Sequence, residues 1–190
     1  MKKLYFDVET TGTNPEKHGL IQFSGIIEIN GEIKEKFDFQ IKPFESDLIE
    51  ENALIVNNKT KDEIKSFPEP NFIKKEIITI FDKYIDKYNR EDKFIPIGYN
   101  VSFDINFLNT FFKKLNDNYL FSYINPKGID VYAIFLWLCY SNKICDYTKS
   151  DHKLESACDF FNIPIKAHDA LEDILATKKL LDVLESRYLR

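Results

Sequence analysis

Three short blocks of this chain carry side chains able to do chemistry. They are Phe6-Asp7-Val8-Glu9-Thr10-Thr11-Gly12, Asn100-Val101-Ser102-Phe103-Asp104, and His168-Asp169-Ala170-Leu171-Glu172-Asp173. The acids stand where the local pattern is otherwise apolar. A carboxylate beside a core is costly unless something positive meets it, and none of the three blocks contains a Lys or Arg. A divalent cation is the natural partner, and a ligand set made only of oxygens points to Mg²⁺ or Mn²⁺.

Each block also has an ordinary reading. Asp7 and Glu9 are two apart on a strand, so both share a face with Tyr5, while Leu4, Phe6 and Val8 point the other way. Two carboxylates on one face repel unless a cation lies between them; taken alone, the pair also fits a solvated strand face. In Thr10-Thr11-Gly12, the glycine can take φ > 0 and admit a ligand to the backbone. The hydroxyls and N–H groups there would hold a terminal sugar or phosphate, the alternative being a plain turn. Asp104 sits in a first helical turn, where an acid also serves the helix dipole. Asp169 and Glu172 form a capping box that starts the last helix at Ala170. That puts His168 just outside it and Asp173 one turn in. A loop histidine five positions before such an acid is a general-base candidate.

These groups must be positioned by a scaffold, and the pattern describes one. Lys3 to Glu9 reads as a first strand. Leu20 to Ile29 and Glu32 to Ile41 flank Asn30-Gly31, a hairpin signal, so three antiparallel strands open the chain. Pro43 to Pro70 holds one or two short helices, with Thr60 and Glu63 as a capping box. Phe72 to Tyr88 carries Ile73, Ile77, Ile80, Phe81, Tyr84 and Tyr88 at helical spacing. After a charged turn at Asn89 to Lys93, Phe94 to Tyr99 is a buried strand. Ser102 caps a helix running to about Leu115, and Asn116 to Lys127 is loop. Asp130-Val131 leads into a packed helix over Tyr132 to Tyr140; a further helix covers Lys153 to Phe161, and the last runs from near Ala170 to the C-terminus. Strands first, then strands alternating with helices, imply an α/β mixed sheet flanked by helices.

The 190 residues fit one domain over 1–190, and 44% hydrophobic with 15% aromatic residues provides a real core. The net charge is −5; without the four proposed ligands the remainder is near neutral, which argues against a large basic groove. Cys139, Cys145 and Cys158 form no C-x-x-C pair, and an odd count without a framework reads as a reducing, cytoplasmic setting. A zinc site using His152 has only weak support from spacing. Lys2-Lys3 precede a strand-like run with acids, not a leader. The longest apolar stretch, Ala133 to Tyr140, is far too short to cross a bilayer, so no membrane partner is expected.

Together the blocks resemble the DEDDh 3′–5′ exonucleases, the DnaQ-like family within the ribonuclease H-like fold. Asp7-x-Glu9-Thr10-Thr11-Gly12 is similar to its first motif, Asn100-x-x-Phe103-Asp104 to its second, and His168-x-Ala170-x-x-Asp173 to its third, in the family's order. The resemblance spans residues 7 to 173. One departure is Tyr99, where many members carry His before the Asn. Asp130 matches an acid common in similar chains and reads as structural or as a support behind the ligands.

The resemblance implies a ribonuclease H-like sheet, antiparallel meander first and parallel strands after. It implies two Mg²⁺ (or Mn²⁺) ions held by Asp7, Glu9, Asp104 and Asp173, with His168 as general base. Thr10, Thr11, Gly12, Tyr99, Asn100 and Phe103 would contact the substrate. The implied reaction is hydrolysis of terminal phosphodiesters at nucleic acid 3′ ends to 5′-nucleoside monophosphates, DNA favoured and RNA the alternative, in proofreading or repair. A DNA polymerase is the implied partner. A non-catalytic polymerase subunit and, more weakly, an endonuclease compete with this reading. The halt at Arg190, without a further tail, favours a free-standing enzyme or a separately encoded proofreading partner.

Overall fold

β1 (Lys2–Thr10) is the axis on which the acids are mounted. The computed structural model describes residues 1–141, 143–148, 151–165 and 170–189. β1 pairs antiparallel with β2 (Leu20–Ile29), which pairs antiparallel with β3 (Glu32–Gln40) across the expected Asn30-Gly31 turn. Asn30 and Gly31 both take positive φ, 53° and 87°, as a tight hairpin with right-handed strand twist requires. On its other side β1 pairs in parallel with β4 (Ile95–Gly98), and β4 pairs in parallel with β5 (Ile129–Asp130). The sheet order is β3-β2-β1-β4-β5. This is the mixed sheet that the sequence implies, antiparallel half first.

β5 was not anticipated. Two residues are too few to carry a period, and only pairing with Ile97 and Gly98 makes them a strand. On the other side of β4, Gly98 suits the close approach to β1, since a side chain there would press on the Phe6 carbonyl oxygen at 3.1 Å.

The strands alternate as their faces demand. Leu4, Phe6 and Val8 enter one core with α3 (Pro70–Asp82) and α4 (Val101–Lys114). Tyr5, Ile26 and Ile97 enter the other with α5 (Val131–Tyr140), α6 (Leu154–Phe160) and α7 (Ala170–Tyr188). The smaller helices α1 (Glu51–Val56) and α2 (Lys61–Ser66) pack on Ile21 through Leu54 and Ile64. The Thr60–Glu63 capping box is formed as expected.

Three local expectations are corrected. α3 stops at Asp82, short of Tyr88, which is 88% exposed. Ile85 must turn into the core, and Lys2 Nζ draws off the Tyr84 carbonyl at 2.6 Å, which ends the helix. α4 begins at Val101, one residue before the expected cap at Ser102. Asn100 precedes it in the left-handed region (φ 66°), a conformation asparagine tolerates, and turns the chain sharply out of β4. Finally, Cys139 and Cys145 are joined in a disulfide with Cα atoms 4.7 Å apart, so the reading of the cysteines as a set without a bridge does not hold. A six-residue separation closes a local loop that no framework pattern announces. With that pair bonded, Cys158, which is buried, is the one cysteine left to the weak zinc alternative. Among the described residues no helix is long and apolar enough to cross a membrane.

Candidate functional site

β1 and β4 run parallel, so their carboxyl ends lie together, and the acidic blocks gather there. In an open sheet this is where ligands bind. Asp7 and Glu9 project from the last part of β1, paired with Ser24 and Gln22, and the register shifts between Glu9 and Thr10. Such a bulge re-aims side chains at the strand end. β4 reaches only as far as Tyr5 along β1. Beyond it the Val8 N–H donates to Asp104 Oδ1 at 3.2 Å, so α4 delivers its buried carboxylate to the strand. Asp173 arrives from the first turn of α7.

The electrostatics show that the four acids share one neighbourhood. Burial holds the Asp7 carboxyl well above the usual carboxylate range, and the charges of Asp104, Glu9 and Asp173 add to it in that order. Burial, then Asp173, pushes Glu9 up to about 7, with Lys59 pulling the other way. Asp104 is likewise raised well above its ordinary value, by burial first. Hydrogen bonds from backbone N–H groups oppose that rise, and the charges of Glu9 and Asp130 reinforce it. A cavity of about 160 Å³ lies against the cluster, lined by Tyr5, Asp7, Gly98, Tyr99, Asp173 and Thr177 among others.

Asp7, Glu9 and Asp104 hold on to their protons, and with the charge of Asp173 beside them they are a set that favours positive charge among them. Their donors are all oxygen, the chemistry of Mg²⁺ and Mn²⁺. Among the described residues no three such groups stand as a ready-made ligand set, so the side chains must draw together to hold an ion. Lys59 is the cation that sequence reasoning missed. It follows α1, far from any of the three blocks, and only its field on Glu9 reveals it.

The remaining predicted residues fall into distinct places. Tyr99 is half-buried in the cavity wall; its hydroxyl donates to the His152 carbonyl at 2.6 Å, and burial pushes it well above the usual phenol range. Asn100 is exposed, and its N–H donates to Asp130 Oδ1 at 2.9 Å. The same oxygen caps α5 through the Tyr132 N–H, so Asp130 is structural, as read from sequence. Phe103 packs on the core, its ring 4.8 Å from Phe107.

Thr10 Oγ1 donates to the Gly12 carbonyl at 2.7 Å. Thr11, fully buried, donates to the Leu48 carbonyl at 2.6 Å and accepts from the Gly19 N–H. Both hydroxyls therefore build the loop, and contact with a ligand from this block falls to the backbone and to the cleft beside it. That cleft, about 300 Å³, lies between Thr10, Gly12 and α1. Gly12 does not use the positive φ expected of it. It is small because the His18 ring sits where its Cβ would be, 2.5 Å away. His168, Asp169 and the capping box between Asp169 and Glu172 lie outside the described residues, and with them the expected start of the last helix; α7 is described from Ala170 onward.

Comparison with known proteins adds three findings. The family described as Exonuclease (RNase_T) matches residues 4–181. The PolC-type DNA polymerase III of Halalkalibacterium halodurans is 29% identical over 177 residues, 93% of this chain and 11% of that protein. A Staphylococcus aureus polymerase of the same type is 29% identical over 110 residues, 58% of this chain and 7% of that protein. Among solved structures, Escherichia coli exonuclease I in complex with a dT13 oligonucleotide superposes with TM-score 0.79 at 23% identity, over 100% of this chain and 42% of that one. A zinc-bound exonuclease I–single-stranded DNA complex gives TM-score 0.81 at 22% identity, over 100% and 41%. The chain thus spans about a tenth of its first polymerase relative and about two fifths of these exonucleases.

Proposed function

The chain belongs to the exonuclease family, and from that premise we propose that it is a metal-dependent 3′–5′ exonuclease of the DEDDh type acting on single-stranded or frayed DNA ends. The observation that carries this reading is the crowding of Asp7, Glu9, Asp104 and Asp173 at the carboxyl end of β1, felt in the raised carboxyls of the first three. Family membership and the exonuclease I and PolC likenesses support it. The domain is taken as 1–190.

Asp7, Glu9, Asp104 and Asp173 would hold two Mg²⁺ or Mn²⁺ ions. When bound, such ions supply positive charge to the scissile phosphate and acidity to water beside it. The protein's own part is separate. Val8 N–H fixes Asp104, and Asp130 fixes the Asn100 turn from which α4 starts. His168 accepts the proton of the attacking water on a ring nitrogen, a contribution of about 10²–10⁴-fold. Tyr99, Asn100 and Phe103, with the backbone of Thr10 to Gly12, form the walls for the terminal nucleotide. Lys59, whose charge is felt at Glu9, would meet a phosphate.

The likeness to PolC-type polymerases favours DNA over RNA and an association with a polymerase, tested by co-purification. The activity test uses a 5′-labelled single strand with a free or a blocked 3′ end, in Mg²⁺ or EDTA. Expected is a ladder shortened from the 3′ end, with nucleoside monophosphates released, only with a free end and Mg²⁺. His168→Ala should slow this at least a hundredfold while still binding the strand in Ca²⁺. Cleavage of blocked or circular strands, or full activity in EDTA, would overturn the reading.

A further inference from the structure

Beyond the acids, a line of rings leads from the cavity to the surface. Tyr99 lines the cavity with Asp7 and Asp173, and its hydroxyl holds the His152 carbonyl at 2.6 Å. The His152 ring lies 4.8 Å from Tyr147, at 37° to it. Tyr147 meets Tyr140 at 6.2 Å, and Tyr140 meets Trp137 at 6.1 Å and 33°. The last three are markedly open to solvent: Trp137 is 62% exposed, Tyr140 67% and Tyr147 45%. The Cys139–Cys145 disulfide ties the end of α5, which carries Trp137 and Tyr140, to the segment that carries Tyr147.

We propose that Trp137, Tyr140 and Tyr147 form a stacking track that receives the single strand upstream of its reacting end. The proposal rests on the nuclease reading above. Clustered exposed rings mark an interaction surface, and three features favour a strand of bases as the occupant. The rings are tied to the wall of the acidic cavity through the hydrogen bond from Tyr99 to the His152 carbonyl. Flat ring faces bind any base by stacking, without reading sequence. Exposed Lys143 and Lys153 flank them, yet Asp146 and Asp151 are exposed there too, so the grip comes from stacking more than from charge. This fits a chain whose net charge of −5 leaves little room for a basic groove.

Trp137 is the chain's one tryptophan, so its fluorescence reports on the track directly. The test titrates the protein in Ca²⁺ with a thymidine dinucleotide and with a thymidine 20-mer. Expected is quenching by the 20-mer and little by the dinucleotide. Tyr140→Ala and Tyr147→Ala should each weaken 20-mer binding about tenfold, while Mg²⁺-dependent hydrolysis of the dinucleotide stays at the wild-type rate. A 20-mer that is cleaved without quenching, or bound by both variants as tightly as by the wild type, overturns the track and leaves the nuclease reading standing. Quenching by the 20-mer with no hydrolysis of either substrate supports the track and sinks the nuclease reading instead.

Discussion

The four carboxylates give each residue of the site a measurable burden. Glu9 has its carboxyl raised from an ordinary 4.5 to about 7, with burial as the first cause. The folded state therefore binds this proton more tightly than the unfolded chain does. Its contribution to stability is fully present below about 4.5 and is lost as pH rises to about 7. Asp7 and Asp104 act in the same direction. The metal-free protein should thus melt at progressively lower temperature across this window, and Glu9→Gln should flatten the fall while abolishing cleavage. Added Mn²⁺ should restore the melting temperature most at the upper end, where the carboxylates are free of protons. A melting temperature that rises with pH through the same window would contradict the crowding of these acids. At this scale the sequence was informative about residue types and less so about roles. The acids were legible because charge in an apolar run is conspicuous. The Thr11 hydroxyl was not, because its partners, Leu48 and Gly19, are set by loop packing. Lys59 was not, because nothing in its own neighbourhood marks it.

Between residue and fold, the element that aims the site is the joint between β4 and α4. Asn100 turns there with positive φ, and Asp130, at the end of β5, accepts from both the Asn100 and the Tyr132 N–H groups. One carboxylate thus joins the start of α4, and so Asp104, to the start of α5. Asp130→Ala should lower stability by about 1–2 kcal/mol, the cost of a lost cap and an unpaired N–H, read as a shifted denaturation midpoint. It should also lower kcat and raise KM together, because the same turn carries Asn100 in the nucleotide wall and sets the start of the helix that bears Asp104. Loss of stability with unchanged kcat would leave Asp130 a cap and nothing more. β1 to β3 were legible because alternation and Asn-Gly are local signals. β5 was not, being two residues that exist only by pairing with β4. Periodicity carried α3 past its end, since Tyr84 and Tyr88 keep the helical spacing although Ile85 turns inward.

For the whole molecule, the sheet works as a mount with two cores. One face seats α4 and the other seats α7, so acids from three distant stretches of chain meet at one strand end. That meeting could be anticipated from sequence only by resemblance, since no spacing rule brings residue 7 to residue 173. The second face also carries the exposed rings of Trp137 and Tyr140 on α5, a feature the apolar run Ala133 to Tyr140 had disguised as plain core. The proposed exonuclease rests on Asp7, Glu9, Asp104 and Asp173 acting as one ligand set for divalent ions. Calorimetric titration of Mn²⁺ into the metal-free protein near neutral pH, in two buffers of different ionisation enthalpy, puts that set to the test. The prediction is two ions per chain taken up with release of protons, and loss of that binding in Asp7→Asn. Mn²⁺ uptake that is absent, or that is the same in wild type and Asp7→Asn, would contradict it.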